Sequence, residues 1–90
     1  MKNFKETNVD SIFTHFGFKE IGYRSGRWEL KLNKTDSIVC HFLQREWTVK
    51  DWLTIEFVQK RTRFIKYNGL IYRDGQIIFL INLILQNYKI

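Results

Sequence analysis

The pattern of apolar positions predicts that the chain begins with a short helix. Between positions 9 and 16, apolar residues recur at spacings of three and four, which places them on one helical face. Thr7 or Asn8 is a suitable N-cap, and Gly17 follows where helices often end. The sequence therefore predicts a helix from Val9 to Phe16.

The pattern then changes to alternation of apolar and polar residues, which is typical of strands. A first hairpin is predicted to pair Phe18 to Tyr23 with Arg27 to Asn33, joined by a turn at Arg24 to Gly26. A third strand, Ser37 to Leu43, follows a turn at Lys34 to Asp36. It is apolar on both faces, which predicts a central strand that is covered from both sides.

A polar loop from Gln44 to Asp51 separates this strand from a predicted fourth strand, Trp52 to Gln59. A helix is the alternative there, since Thr48 and Asp51 fit a capping box. We favour the strand because the segment is rich in β-branched and aromatic residues and has a period of two.

The fifth predicted strand is the basic run, Lys60 to Tyr67, which ends at Asn68-Gly69. The run holds four cations, two aromatic residues and no acid. Regular alternation would divide it into two rows, Arg61, Arg63, Ile65 and Tyr67 on one face and Lys60, Thr62, Phe64 and Lys66 on the other. Neither row is purely apolar, so we expect cations to face water.

The last segment fits two structures. Asp74-Gly75 is a hairpin signal, but Asp74 is also a good N-cap, and six apolar or aromatic residues after it share one helical face. We predict the helix, because the sheet needs cover. Ile78, Phe79 and Leu83 fall outside that face, which predicts either burial on both sides or contact with another chain, such as a homodimer.

Together these elements predict an α+β fold in a single domain over residues 1–90. It comprises a short N-terminal helix, an antiparallel meander of about five strands and a C-terminal apolar helix. The composition, 44% hydrophobic and 17% aromatic, is that of a folded protein.

Composition also bounds the setting and the partner. The single Cys40 leaves no internal disulfide framework, and Met1 to Asp10 lacks a secretory signal, so we expect a cytoplasmic protein in a bacterial host. The longest apolar run, Ile77 to Leu85, is too short to span a bilayer. The net charge of +6 favours an acidic or polyanionic partner over a neutral one.

The sequence contains no catalytic motif that predicts an enzyme, and it predicts no cofactor or metal site. Cys40 and His41 are neighbours, but adjacent strand residues point to opposite faces, so they do not share a ligand or proton. His15 and His41 remain a candidate pair for acid–base cleavage of RNA only if the fold brings them together.

The cations are the candidate binding residues. Arginine binds phosphate or carboxylate in a bidentate manner, and Tyr67 or Trp47 is suited to stack on a base. An alternative is that the charge protects a sheet edge from aggregation. The predicted partner or nucleic-acid site consists of Lys60, Arg61, Arg63, Lys66, Tyr67, Arg73, Arg24, Arg27, Lys31 and Trp47, with Lys34 beside them.

The layout, from Gly17-Phe18 through the strand at Trp28 to the segment at Tyr67 to Ile71 and the apolar end, resembles small α+β proteins of phages and mobile elements. Anti-CRISPR inhibitors are one class among these. The resemblance implies stoichiometric binding to a CRISPR effector nuclease or its RNA complex, with no enzymatic activity. Two alternatives are a direct RNA- or DNA-binding protein and a small ribonuclease toxin of the RelE type.

Overall fold

A five-stranded antiparallel sheet with a helix from each end of the chain forms the protein. The computed structural model describes residues 4–23, 25–43 and 51–89. Strands pair in chain order, so the sheet is a simple meander. This confirms the predicted α+β fold. The elements are α1 (Phe4–His15), β1 (Lys19–Glu20), β2 (Arg27–Lys31), β3 (Asp36–Leu43), β4 (Asp51–Gln59), β5 (Thr62–Ile71) and α2 (Asp74–Lys89).

Both helices pack on the same face of the sheet, which we call the covered face. Trp28, Cys40 and Ile55 lie side by side on it in one cross-strand row. The ring of Phe13, from α1, stacks on Trp28 at 5.2 Å between centroids. From α2, Ile77 is fully buried in the same core. The opposite face, which we call the open face, carries the alternate residues of each strand.

The prediction for the central strand is confirmed in position, and residues on both faces of β3 are buried, from Asp36 to Cys40. β3 lies in the middle of the sheet, and Cys40 points into the core. The alternate residues of β3 lie on the open face, and neither described helix packs there. Val39 is only 9% exposed on that face, where Glu29 and Glu56 are its partners on the neighbouring strands.

The helix boundaries differ from the sequence prediction at the beginning of the chain. α1 begins at Phe4, so Thr7 and Asn8 lie inside it and do not cap it. Gly17 follows the helix with a φ of 94°, which confirms the predicted stop. α2 confirms the helix prediction for the last segment.

The first hairpin is shorter than predicted. β1 contains only Lys19–Glu20, and β2 ends at Lys31. Of the predicted turn, Arg24 lies outside the described residues, while Gly26 has a φ of 76°. A Cβ at Gly26 would lie 2.5 Å from the carbonyl oxygen of Phe42, so the position requires glycine. The predicted loop from Gln44 also lies largely outside the described residues.

The basic run is not one strand that ends at Asn68-Gly69. Lys60 and Arg61 instead form the two-residue turn between β4 and β5, with φ values of 48° and 74°. The strand then continues through Asn68 and Gly69 to Ile71, because β4 is long enough to pair with it throughout. Local turn preference at Asn-Gly is overridden by this pairing.

A β-bulge at Lys66 breaks the predicted alternation. Ile55 pairs with Tyr67, whereas the next residue, Glu56, pairs with Ile65, which leaves Lys66 unpaired. Tyr67 therefore lies on the covered face and not beside Arg63. A bulge re-aims side chains in this way because it inserts one extra residue into one strand.

Candidate functional site

Two neighbouring turns bring basic residues together at one end of the sheet. In a meander, every second turn lies at the same end, and the pairing of Asp36 with Gln59 places the β2–β3 turn beside the β4–β5 turn. The amide of Lys60 donates a hydrogen bond of 3.2 Å to the carbonyl of Thr35. We call the resulting cluster the basic end; it consists of Lys31, Lys34, Lys60, Arg61 and Arg63.

The two members that belong to strands lie in one row across the open face. Lys31 pairs with Ser37, which pairs with Val58, which in turn pairs with Arg63. Strands are about 4.8 Å apart, so the row spans about 14 Å. Ser37 and Val58 separate the two cations of the row, and the turn residues Lys34, Lys60 and Arg61 lie directly beyond it at the same end of the sheet.

The acids near the basic end do not neutralise it. Arg63 pairs with Glu56 at 2.8 Å, with 57% of the arginine side chain still exposed. Asp36 is 8% exposed, and its carboxylate accepts hydrogen bonds from Thr35 and Asn33. Within the described ranges, the other four cations of the basic end form no ion pair. Their charge is available to a partner.

The β4–β5 turn has an unfavourable sequence for its backbone. Two consecutive residues with positive φ are typical of a type I′ turn, in which Asn-Gly is strongly preferred. Lys60 and Arg61 occupy it instead, and each non-glycine residue in this region costs about 1–2 kcal/mol. Strain of this kind is often found at functional sites. Lys60 and Arg61 therefore occupy this turn at a cost in stability.

A groove lies beside the basic end on the covered face, between the C-terminal part of α2 and strands β4 and β5. Its volume is about 340 Å³. The bulge directs Lys66 into it, so that the ammonium lies 6.0 Å from the centroid of Phe57 and 5.9 Å from that of Phe64. We call this the end groove; it is lined by Phe57, Gln59, Lys66, Ile84, Asn87 and Tyr88.

The open face carries a second, smaller hollow of about 180 Å³. Arg27, His41 and Arg63 line it, together with Glu56. Next to it, the carbonyl oxygen of the Asn68 side chain accepts hydrogen bonds from Trp52 and Thr54 at 2.7 and 3.1 Å. The sequence analysis did not identify this group of polar residues. The alternation of Cys40 and His41 was a signal for it, because it places His41 on the face opposite the core.

The structure brings together only part of the predicted binding set. Lys31, Lys60, Arg61 and Arg63 meet at the basic end. Arg27 lies at the far end of β2 on the open face, and Lys66 lies in the end groove.

The remaining members are placed elsewhere. Arg73 follows β5 at the opposite end of the sheet. Tyr67 is not free to stack on a base, because its ring packs against the core and its hydroxyl donates to the carbonyl of Leu70 at 2.6 Å. Arg24 and Trp47 lie outside the described residues. Lys34 belongs to the basic end, and the meander itself was the signal that places it there.

The candidate histidine pair does not form. His15 ends α1, which packs on the covered face, whereas His41 lies on the open face. Cys40 is fully buried, and burial raises the pKa of its thiol well above the usual range. Across residues 4–23, 25–43 and 51–89, no group of three or more His, Cys, Asp or Glu residues is arranged to hold a metal ion.

Comparison with known proteins supplies no relative. No protein-family model matches the chain, and no curated protein or solved structure is significantly similar to it. Neither described helix is long and apolar enough to cross a membrane. A function must therefore be argued from the geometry of the basic end and of the end groove.

Proposed function

We propose that this protein is a small non-enzymatic inhibitor or adaptor that binds a ribonucleoprotein of its host. The basic end makes the contact, and the phosphates of the RNA are the groups contacted. The observation that carries the proposal is that five cations from two turns and two strands meet at one edge of the sheet. Of these five, only Arg63 forms an ion pair within the described residues, and its partner is Glu56.

Phosphate is the anion that suits this edge best. Turn residues project away from the sheet, so Lys60 and Arg61 are able to reach a partner without a change in the fold. Arginine offers a planar fork that matches the geometry of phosphate oxygens, and lysine supplies a compact charge beside it. A row about 14 Å long is sufficient for contact with several phosphates along one strand.

A CRISPR effector nuclease is the particular ribonucleoprotein that we propose. The layout of the chain resembles that of small phage-encoded inhibitors. The effector holds its guide and target strands in a positively charged channel, and the basic end would compete with that channel for the same phosphates. Direct binding of free RNA or DNA is the second candidate, because the exposed cations favour a phosphate backbone in either setting.

A pull-down from host lysate, split into samples with and without nuclease, tests the proposal. The tagged protein is compared with the Lys60→Ala/Arg61→Ala variant and with Lys19→Ala/Arg73→Ala, which removes the same charge from positions outside the β2–β3 and β4–β5 turns. We expect a ribonucleoprotein to be recovered by the protein and by the control variant, and to be lost from the turn variant.

Two other outcomes contradict parts of the proposal. Equal recovery by the turn variant, with its fold intact by circular dichroism, shows that the basic end is not the contact. Recovery of nucleic acid alone, lost after nuclease treatment, supports the direct nucleic-acid binder.

A further inference from the structure

We propose that the end groove binds an unstacked base of the RNA strand whose phosphates lie on the basic end. The inference rests on the proposed function and adds the form of the ligand: single-stranded and not duplex. It goes beyond charge, since the groove offers a recessed site for one nucleotide next to the edge that holds the backbone.

The position of the groove relative to the β4–β5 turn is the first argument. Gln59, which lines the groove, directly precedes Lys60 in the turn. A strand held by Lys60 and Arg61 therefore passes the mouth of the groove. The volume of about 340 Å³ lies at the lower end of the range for small-molecule sites, which suits one base better than a larger group.

The chemistry of the walls is the second argument. The rings of Phe57 and Tyr88 are 5.8 Å apart and inclined at 55°, so they form an angled aromatic wall. The hydroxyl of Tyr88 accepts a hydrogen bond of 2.7 Å from Asn33, which fixes the ring relative to the β2–β3 turn. Bases stack on aromatic side chains of this kind irrespective of their identity.

Polar groups complete the site. The side chains of Gln59 and Asn87 are exposed and carry both amide donors and carbonyl acceptors, which suit the edge of a base. The ammonium of Lys66 lies over the ring of Phe57 and adds a positive charge inside the groove. The charge favours an anionic ligand, and the aromatic wall favours a planar one. A nucleotide combines the two properties.

Only a single strand is able to use this groove. Bases in a duplex are stacked and paired, so a duplex presents its phosphates to the basic end and leaves the recess between α2 and the sheet empty. A flexible strand turns one base out of its stack at a small cost. The groove therefore predicts a preference for single strands that the basic end alone does not give.

Two groove variants and one control test the role of the end groove in binding independently of the basic end. Asn87→Trp fills the groove from an exposed helix position, and Tyr88→Ala removes part of the aromatic wall. Phe79→Ala is the matched control, because Phe79 is a 64% exposed aromatic residue of the same helix that does not line the groove. Binding is measured by fluorescence anisotropy with a labelled single-stranded RNA of about ten nucleotides and with the same sequence as a duplex.

We expect Asn87→Trp and Tyr88→Ala each to weaken single-strand binding about tenfold, since one base stacked on an aromatic side chain is worth about that factor. Duplex binding and the control variant should be unchanged. In amide NMR spectra, the single strand should shift the signals of Asn87 and Tyr88, and the duplex should not.

Two results overturn the inference in distinguishable ways. If both groove variants bind the single strand as the unaltered protein does, while Lys60→Ala/Arg61→Ala does not, the groove is wrong and the proposed function stands. If the Lys60→Ala/Arg61→Ala variant also binds normally, both fail. Shifts at the groove with a glutamate-rich peptide, and none with RNA, would assign the groove to an acidic protein partner and reject the nucleotide.

Discussion

Replacing Lys60-Arg61 by Asn-Gly separates the turn's role in folding from its role in binding. The structure places both residues at positive φ in a two-residue hairpin turn, where Asn-Gly is the favoured pair. The double substitution, Lys60→Asn/Arg61→Gly, therefore improves the turn and at the same time removes two cations from the basic end. Few changes in the chain are expected to move stability and binding in opposite directions.

The expected gain in stability follows from the backbone. A non-glycine residue at positive φ costs about 1–2 kcal/mol, and Arg61→Gly recovers that cost less about 0.4–1 kcal/mol for the extra freedom of the unfolded chain. Lys60→Asn recovers a further part, since asparagine tolerates this region. The net stabilisation is about 1 kcal/mol, which raises the melting temperature of a domain of this size by about 4–8 °C.

The loss of RNA binding is measured by titrating single-stranded RNA at several salt concentrations, because the dependence of affinity on salt counts the phosphate contacts. Each contact to a single strand contributes about 0.7 to the slope of log affinity against log salt, so the loss of two contacts lowers the slope by about 1.4. A lower melting temperature would contradict the turn geometry. A higher melting temperature with unchanged RNA affinity would show that the strained cations serve something other than binding.

Further changes test the core and the turns. Trp28→Ala should lower the free energy of unfolding by about 3–5 kcal/mol in chemical denaturation, because a buried indole is lost. An unchanged denaturation midpoint would contradict the strand register that buries Trp28. Gly26→Ala should cost about 1–3 kcal/mol, since its Cβ meets the Phe42 carbonyl, whereas Gly75→Ala, with open space around it, should not destabilise the protein. Burial raises the pKa of the Cys40 thiol in the folded protein. The unfolded chain therefore loses this proton first, and above the unfolded pKa of about 8.5 the free energy of unfolding declines as the pH rises. Cys40→Ala should remove that part of the alkaline decline in denaturation measured against pH; the same decline in both proteins would contradict it.

Periodicity was sufficient to predict most of the fold. Alternation located β2, β3 and β4, and the helical face that includes Ile77 and Ile81 identified α2. These segments have a strong pattern because one face of each is buried against a common core. The beginning of α1 was missed, since the chain around Thr7 and Asn8 has low helix propensity and looks like a cap.

The site was harder to predict, because it depends on details of β5. The hairpin turn at Lys60 and Arg61 carries no turn residue, and the strongest turn signal, Asn68-Gly69, lies inside a strand. A Cβ at Gly69 would lie 3.2 Å from the Tyr67 hydroxyl, so the glycine makes room for that side chain instead of forming a turn. The bulge at Lys66 then places Tyr67 against the core. No sequence pattern in this segment predicts the bulge.

The apolar outer surface of α2 illustrates what burial adds to sequence. Ile78, Phe79 and Leu83 were expected either in the core or at a contact with another chain, and all three are more than a third exposed. Burial within the described part of the chain is thereby excluded for them, while a homodimer through this surface stays a prediction. Size-exclusion chromatography with light scattering at several concentrations measures it directly.

The salt dependence of RNA binding tests the role of the basic end most directly. Fluorescence anisotropy with a labelled single-stranded RNA is measured over a range of potassium chloride concentrations for the protein, for Lys60→Ala/Arg61→Ala, and for Lys19→Ala/Arg73→Ala. The basic end predicts a linear fall of log affinity with log salt, a slope reduced by about 1.4 in the turn variant, and no such reduction in the control. Equal slopes in the two variants would show that overall charge, and not this edge of the sheet, attracts the partner.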